Sequence, residues 1–244
     1  MVTRDVLYTD DTLLVLRHPS NVQAILNKIV SEGARYGLEM NWDKTVQMQV
    51  STCGAVTRPC GAAIKCVREA VYLGGLITCD GRATREISRR LGESSRTFDQ
   101  LQQVWKHAAI TTRRKIEIYK YCVVAKLLYS LDSLWLVQVD RRRLDAFHCR
   151  CLRRMLRIPH AYYSRVSNHD VLARAMEGKL SDALLKCQVR RYCQIQSLAA
   201  GSLVKRVVCN DHGAPIAWAS RRCRGRSRQR WASEVFKLLA QHAS

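Results

Sequence analysis

The first apolar positions of the chain fall in two short runs that flank a polar turn. Residues 5–8 and 12–16 are rich in leucine, valine and tyrosine, and Thr9, Asp10 and Asp11 lie between them. Short runs of β-forming residues on either side of a polar turn are typical of a hairpin. The pattern therefore predicts a buried β-hairpin with two adjacent carboxylates at its turn.

The following segment has the spacing of an amphipathic helix. Ser20 is a suitable amino-terminal cap, and Gly33 and Gly37 are suitable end signals. The apolar residues that recur at helical spacing between them are Val22, Ile25, Leu26, Ile29 and Val30. We predict one helix after the first hairpin.

Two further stretches have the pattern of strands. Residues 38–50 place apolar side chains at even positions, and residues 65–79 form apolar runs that are broken by Gly74 and Gly75. A glycine pair inside an apolar run indicates a turn between two strands. Residues 1–80 are therefore predicted to form a small α+β unit.

From residue 82 onward the apolar positions follow the period of helices. Predicted helix caps are Thr111 or Thr112, Asp140, Ser167 and Ser181. Core positions are predicted at Ile87, Leu91, Phe98, Leu101, Trp105, Ile116, Tyr119, Val123, Val124, Leu127, Leu128, Leu144, Phe147, Cys151, Leu152 and Met155. The predicted fold class is α+β: β-hairpins and one helix, then a mostly α-helical basic region over residues 81–200 and a looser basic tail over residues 201–244.

The charge of the chain lies in this helical part. The formal net charge is +21, yet residues 1–80 hold eight basic and eight acidic side chains, so the whole excess falls in residues 81–244. Such an excess indicates a polyanionic partner, either nucleic acid or an anionic membrane surface. Because the basic residues follow helical patterns interleaved with aromatic residues, we favour nucleic acid.

The eleven cysteines are scattered along the chain, and several fall inside apolar helical patterns. A thiol in such a position behaves as a small buried hydrophobe. We interpret them as reduced thiols of an intracellular protein. The sequence has no signal-peptide pattern, and no apolar run approaches the roughly 18–20 residues of a membrane span.

Asp10 and Asp11 are the candidate metal ligands. Adjacent carboxylates can bind a hard cation such as Mg2+, and nucleotidyl transfer uses two such ions. The alternative is that these aspartates only favour a solvated turn.

The order of several motifs bears on this choice. Tyr8-Thr9-Asp10-Asp11 resembles motif C of reverse transcriptases, with Thr9 in place of the usual alanine. Residues 37–45, Gly-Leu-Glu-Met-Asn-Trp-Asp-Lys-Thr, resemble motif D of the non-LTR (LINE-type) class, and Tyr72-Leu73-Gly74-Gly75 is similar to motif E, the primer grip. Residues 127–135, 147–158 and 225–231 resemble the thumb segment, its arginine-rich helix and a tail box, in which Ser227 replaces proline. The chain thus resembles the carboxy-terminal part of a non-LTR retrotransposon reverse transcriptase.

This resemblance implies roles for particular residues. Asp10 would be a main ligand of Mg2+ or Mn2+, Asp11 the accessory carboxylate, and Lys44 would lie near the pyrophosphate of the incoming nucleotide. Tyr72, Leu73 and Gly74 would support the primer end. An RNA template and a DNA primer would be the partners, and the family implies a nuclear location.

Arginines of the predicted helix and tail are the candidate nucleic-acid contacts, because guanidinium groups neutralise phosphates. They are Arg141, Arg142, Arg143, Arg150, Arg153, Arg154, Arg157, Arg224, Arg226, Arg228 and Arg230.

The chain also departs from the family. Motif A, motif B and the fingers precede motif C in reverse transcriptases, whereas nine residues precede Asp10 here, and Asp5 is too near to replace the motif A aspartate. We expect the chain to be inactive alone, with weak metal binding, and to be a truncated or decayed copy or a part that works beside an amino-terminal palm and fingers polypeptide. The alternative is a nonenzymatic, basic RNA- or DNA-binding protein derived from such an element.

Zinc is the weaker metal hypothesis. His148, Cys149, Cys151, Cys209 and His212 include donor types that zinc accepts, and Cys187 and Cys193 could complete such a set. However, Cys149 and Cys151 diverge by about 200° on a continuous helix and cannot share an ion.

Overall fold

A computed structural model of the chain describes residues 4–8, 11–50, 54–216 and 230–242. The chain divides into two compact units, an amino-terminal unit of residues 1–82 and a carboxy-terminal unit of residues 83–244. The first contains small two-stranded sheets and one helix, and the second is helical. With 57% helix and 11% strand, the fold is α+β, which confirms the predicted fold class.

The strands of the amino-terminal unit pair two by two. They are β1 (Arg4–Tyr8), β2 (Asp11–Val15), β3 (Val46–Met48), β4 (Lys65–Val67), β5 (Glu69–Tyr72) and β6 (Gly75–Thr78). β1 and β2 form an antiparallel hairpin, as predicted, with Tyr8 opposite Asp11. The prediction that it is buried is wrong for β2, whose residues are exposed or half-buried. β3 and β4 are parallel, and β5 and β6 form a second antiparallel hairpin. Within the predicted extended stretch of residues 38–50, only β3 is a strand.

The turn of the second hairpin lies one residue earlier than the glycine pair suggests. Leu73 and Gly74 have φ of 47° and 75°, as the two central residues of a type I′ turn require. Gly75 is instead the buried first residue of β6. Leu73 occupies a backbone region that a leucine rarely adopts.

The amino-terminal unit packs its helix on a small core. Helix α1 (Pro19–Arg35) starts with a proline at its first turn, and His18, not Ser20, occupies the cap position. Leu26 packs with Val56 and Ile64, which are buried. The Gln23 amide also binds both backbone groups of Thr57, accepting from its N–H at 2.7 Å and donating to its carbonyl at 2.9 Å.

The carboxy-terminal unit is built from helices. They are α2 (Thr84–Gln100), α3 (Gln102–Lys106), α4 (Thr112–Tyr119), α5 (Ala125–Leu128), α6 (Gln138–Met155), α7 (Ala161–Ser164), α8 (Asn168–Ala175), α9 (Leu180–Gln196), α10 (Leu203–Val208) and α11 (Trp231–His242). A π-helical turn, Lys120–Val124, joins α4 to α5, and a 3-10 turn, Leu131–Ser133, precedes α6.

One large apolar cluster fills this unit. Its buried members are Ile87, Phe98, Trp105, Ile116, Tyr119, Val123, Leu127, Leu131, Leu136, Leu144, Phe147, Cys151, Leu152, Met155, Val171, Ala175, Leu180 and Leu184. The ring of Phe98 stacks on Trp105 at 5.0 Å and meets Tyr119 edge-on at 5.9 Å. Leu101, one of the predicted core positions, is half-buried between α2 and α3. The Trp105 indole donates to the Phe98 carbonyl beside this break.

Two of the predicted caps are present and two are replaced by longer-range contacts. Thr111 caps α4, and Ser167 caps α8 in a reciprocal capping box with Asp170. Asp140 lies inside the first turn of α6. Ser181 lies inside the first turn of α9, and both its amide and its hydroxyl donate to Asp145 of α6. The predictions for Asp140 and Ser181 as caps are therefore wrong.

The described part of the tail contains two helices, α10 and α11, and an isolated bridge between Cys209 and Pro215. In α11, Val235 is fully buried and the rings of Trp231 and Phe236 lie 5.9 Å and 6.3 Å from that of Tyr192 on α9. The Tyr192 hydroxyl also donates to the Gly213 carbonyl, in the segment that follows α10. This part of the tail is thus packed on α9 and is not loose. Across the described ranges, no helix is both long and apolar enough to cross a bilayer.

Three helices of this unit end on residues with positive φ that are not glycine. Arg157 follows α6, Arg165 follows α7 and Met176 follows α8, with φ of 55°, 55° and 53°. At the end of α6 the Ile158 amide donates to the Arg153 carbonyl, as in a Schellman motif.

Candidate nucleic-acid interface

The seven predicted contact arginines in and just after α6 differ in burial. Arg142, Arg150, Arg154 and, just past the helix, Arg157 are exposed. Arg141 and Arg143 are half-buried, and Arg153 is buried. Four of these seven arginines are therefore exposed to solvent, and the other three are half-buried or buried within the unit.

Arg141 and Arg143 hold the beginning of α6. The Arg141 guanidinium lies 4.4 Å from the ring centroid of Trp135 and donates to the Leu136 carbonyl, and burial lowers its pKa. Arg143 donates to the buried Asp140 at 3.0 Å and to the Ser88 hydroxyl at 2.8 Å. These contacts fasten α6 to its neighbours.

Asp140 is the centre of this connection. Its carboxylate also accepts a 2.9 Å hydrogen bond from the Thr84 hydroxyl at the start of α2. A buried carboxylate requires such partners, because burial without them is costly. The starts of α2 and α6 are thus held at one buried carboxylate.

Arg153 lies in the interior of the unit. Its guanidinium donates to the carbonyls of Pro159 and Val166 at 3.2 Å and 2.6 Å, and to the side chain of Asn168 at 3.1 Å. Those donors are occupied within the chain. Arg153, which was predicted as a nucleic-acid contact, is therefore not part of the candidate interface.

The end of α6 forms a cationic cleft. Arg154, Arg157 and Lys106 line it with Gln102 and Trp105, around a volume of about 180 Å3. Arg154 lies 4.8 Å over the Phe98 ring and bonds to Asp99 at 2.7 Å, and Arg157 donates to the Lys106 carbonyl. Three cations around one opening, balanced by one carboxylate, produce a local positive potential suited to phosphate.

The tail arginines are only partly placed. Arg224, Arg226 and Arg228 lie outside the described residues, and Arg230 is half-buried at the start of α11.

The carboxylates of the first hairpin are also partly placed. Asp10 lies outside the described residues, whereas Asp11 is exposed at the first position of β2. An exposed carboxylate is the kind of oxygen donor that Mg2+ takes. In the described part of the chain, no three His, Cys, Asp or Glu side chains form a cluster able to hold an ion. Asp11 is thus the one residue of the predicted Asp10–Asp11 pair that lies among the described residues.

The remaining predicted site residues lie on two other turns of the amino-terminal unit. Lys44 is exposed, and its backbone amide donates to the Asn41 side chain at 3.1 Å in the turn before β3. Tyr72, Leu73 and Gly74 form the end of the β5–β6 hairpin, where Leu73 is exposed and Tyr72 half-buried.

Of the cysteines considered for zinc, Cys149, Cys151 and Cys209 are buried, Cys187 is half-buried and Cys193 is exposed. Cys149 and Cys151 are free thiols on the uninterrupted α6. Burial raises the pKa of the Cys151 thiol to about 12 and lowers the pKa of His148, whose Nδ1 lies 3.0 Å from the Tyr119 hydroxyl. Since zinc binds the thiolate, this environment disfavours Cys151 as a ligand.

Three exposed residues of the carboxy-terminal unit were not predicted as candidate contacts. Lys106, which lines the cleft, and the exposed Tyr162 and Tyr163 on α7 escaped the motif comparison. For the two tyrosines a signal was present, because the surrounding residues 146–169 contain five arginines and no aspartate or glutamate.

Comparisons with protein families, with curated proteins and with solved structures find no match to this chain.

Proposed function

We propose that this chain is the nucleic-acid-binding, carboxy-terminal part of a reverse transcriptase of the non-LTR retrotransposon type. The observation that carries the proposal is the cleft at the end of α6, where Lys106, Arg154 and Arg157 meet in the unit that contains the charge excess. Phosphate neutralisation by such cations provides affinity without sequence preference.

The amino-terminal unit supports the polymerase half of the proposal. Asp11 lies at the end of one hairpin and the Leu73-Gly74 turn at the end of another, in the chain order of motifs C and E. Asp10 and Asp11 would hold Mg2+ or Mn2+, the ion that supplies charge stabilisation in nucleotidyl transfer. An amino-terminal palm and fingers polypeptide would contribute the remaining carboxylate, and an RNA template and DNA primer would be bound in the nucleus.

The proposed nucleic-acid binding is tested by salt titration of the full chain with a labelled RNA. Affinity should fall steeply as salt rises, and changing Arg150, Arg154 and Arg157 to glutamine should make the logarithmic slope shallower by about two to three. The matched control changes three exposed cations of the amino-terminal unit, Lys28, Lys65 and Arg68, and should leave the slope nearly unchanged. Salt-independent or undetectable binding would contradict the proposal.

The chemistry is tested by primer extension on an RNA template. We expect no activity from the chain alone, because misplacing reacting groups in phosphoryl transfer costs about a hundredfold and a missing ligand costs more. A fusion to the palm of a related element should be active, and Asp10→Asn should abolish that activity. Activity of the unfused chain that is lost on Asp10→Asn would show that no further carboxylate is needed.

A nonenzymatic RNA- or DNA-binding role is the second candidate. It is favoured by the confinement of the charge excess and of the large core to the carboxy-terminal unit. An inactive fusion whose salt-dependent RNA binding persists would select this role over the polymerase role.

A further inference from the structure

The segment after α6 presents two neighbouring tyrosines to solvent. Tyr162 and Tyr163 on α7 are 70% and 77% exposed, and their rings are 5.3 Å apart and nearly perpendicular. Exposure of two large aromatic rings side by side costs hydrophobic free energy that burial would recover. Most of each side chain is therefore accessible to a partner.

The tyrosine pair is held in place from inside. The buried Arg153 donates to the carbonyl of Pro159 before α7 and to those of Val166 and the Asn168 side chain after it. The capping box of Ser167 then begins α8. Because both sides of α7 are fastened to α6, the rings are displayed on a fixed support, which lowers the entropy cost of stacking a ligand on them.

The surroundings of the pair are cationic. The Arg165 guanidinium lies 5.7 Å from the ring centroid of Tyr162, and Arg157 of the cationic cleft lies five residues before that tyrosine. Residues 146–169 carry no acidic side chain. Rings that are flanked by cations match a partner with planar aromatic groups on a polyanionic backbone.

That description fits unpaired nucleotides and does not fit a duplex. Base faces are covered by their neighbours in a helix, whereas bases of a single strand can stack on aromatic side chains. We propose that Tyr162 and Tyr163 form a base-stacking platform for single-stranded RNA or DNA, with Arg157 and Arg165 at the adjoining phosphates. This inference rests on the proposed nucleic-acid binding and assigns its contact with unpaired bases.

The test compares three probes on the full chain: a labelled single strand of about 12 nucleotides, the same strand with abasic sites, and the duplex. The variant Tyr162→Ala/Tyr163→Ala should bind the intact single strand about tenfold more weakly, with the salt slope and the affinity for the abasic strand and the duplex unchanged. Tyr162→Phe/Tyr163→Phe should retain wild-type affinity. Tyr121→Ala is the control, because Tyr121 is 80% exposed in the same unit.

The outcomes separate the two proposals. If the wild-type chain binds both single strand and duplex and the double alanine variant loses no more affinity than Tyr121→Ala, the stacking platform is wrong and the proposed function stands. Equal losses on intact and abasic strands would also overturn the platform. A wild-type chain that binds none of the three probes would overturn both proposals. Circular dichroism of each variant, expected to match the wild type because the rings are exposed, guards against misfolding.

Discussion

The two units differ in how they are held together. Among the described residues, eighteen buried apolar side chains form the core of the carboxy-terminal unit and three form that of the amino-terminal unit. The smaller unit instead relies on side-chain amides that bind backbone, such as Gln23 with Thr57 and Gln47 with Val56. An isolated two-stranded hairpin is marginally stable in water. The cationic cleft therefore lies in the unit with the larger core, and the β1–β2 hairpin lies in the unit with the smaller core.

Hydrogen exchange provides the sharpest test of this comparison. Amides of the β1–β2 hairpin should exchange at least about a thousandfold faster, relative to their intrinsic rates, than those in the middle of α6, since local openings range from near zero up to the global free energy of unfolding. Mass spectrometry of the full chain measures both segments at once. Equal protection would show that the first hairpin is stabilised as strongly as the helical core.

Core truncation should also distinguish the units. Leu152→Ala removes a fully buried side chain from the large cluster and should lower the free energy of unfolding by about 4 kcal/mol, whereas Leu26→Ala should cost about 2 kcal/mol, because its smaller core can relax around the cavity. Urea unfolding followed by circular dichroism gives both values. A Leu26→Ala cost as large as that of Leu152→Ala would remove the distinction.

A buried ion pair in α2 should make the stability of the larger unit sensitive to acid. Burial by itself raises the pKa of Glu86, but its bonds to Arg89 and Arg90 outweigh that effect and hold the pKa below its ordinary value. A depressed folded-state pKa contributes stability that is present above the unfolded value and is lost as the pH falls through the folded one. We expect Glu86→Gln to cost about 2 kcal/mol at neutral pH and to flatten this acid-side loss.

The control for this experiment is Glu117→Gln, which changes an exposed pair with Arg114. It should leave the unfolding curve nearly unchanged, because exposed pairs are screened by solvent. If the two substitutions gave the same pH profile, the buried pair would not be the source of the acid sensitivity.

The smallest effect is expected at the Leu73-Gly74 turn. Asparagine tolerates positive φ better than leucine and is the preferred first residue of a type I′ turn before glycine. Leu73→Asn should therefore stabilise the β5–β6 hairpin by about 0.5–1 kcal/mol, seen as slower exchange of its amides. Faster exchange would mean that packing of the Leu73 side chain outweighs its backbone strain.

The features that could be predicted from the sequence are those set by near neighbours. Ser167 and Asp170 lie three residues apart and form their capping box from local geometry alone. Asp140 and Ser181 have the composition of caps too, but their partners, Thr84 and Asp145, are distant along the chain. Local patterns cannot identify such partners, so the predicted cap roles failed.

The same limit applies to the candidate interface. Helical periodicity places the apolar stripe of α6 but does not separate an arginine that faces solvent from one such as Arg153, which turns inward to satisfy loop carbonyls. The last helix could have been found, since Trp231, Val235 and Leu238 are spaced as on one helical face. The placement of Lys106 beside Arg157 could not be predicted, because it depends on how α3 packs against α6.

The arginines at 157 and 165 have an evolutionary consequence. Each occupies a left-handed position that glycine or asparagine adopts more readily, at a folding cost of about 1 kcal/mol. A lineage selected only for stability would tend to replace them, because glycine and asparagine arise readily and relieve the strain. If the chain binds nucleic acid as proposed, related chains that keep this function should retain cations at both positions, whereas related chains without it should drift toward glycine or asparagine. The residues at these two positions should thus distinguish related chains that keep the proposed function from those that do not.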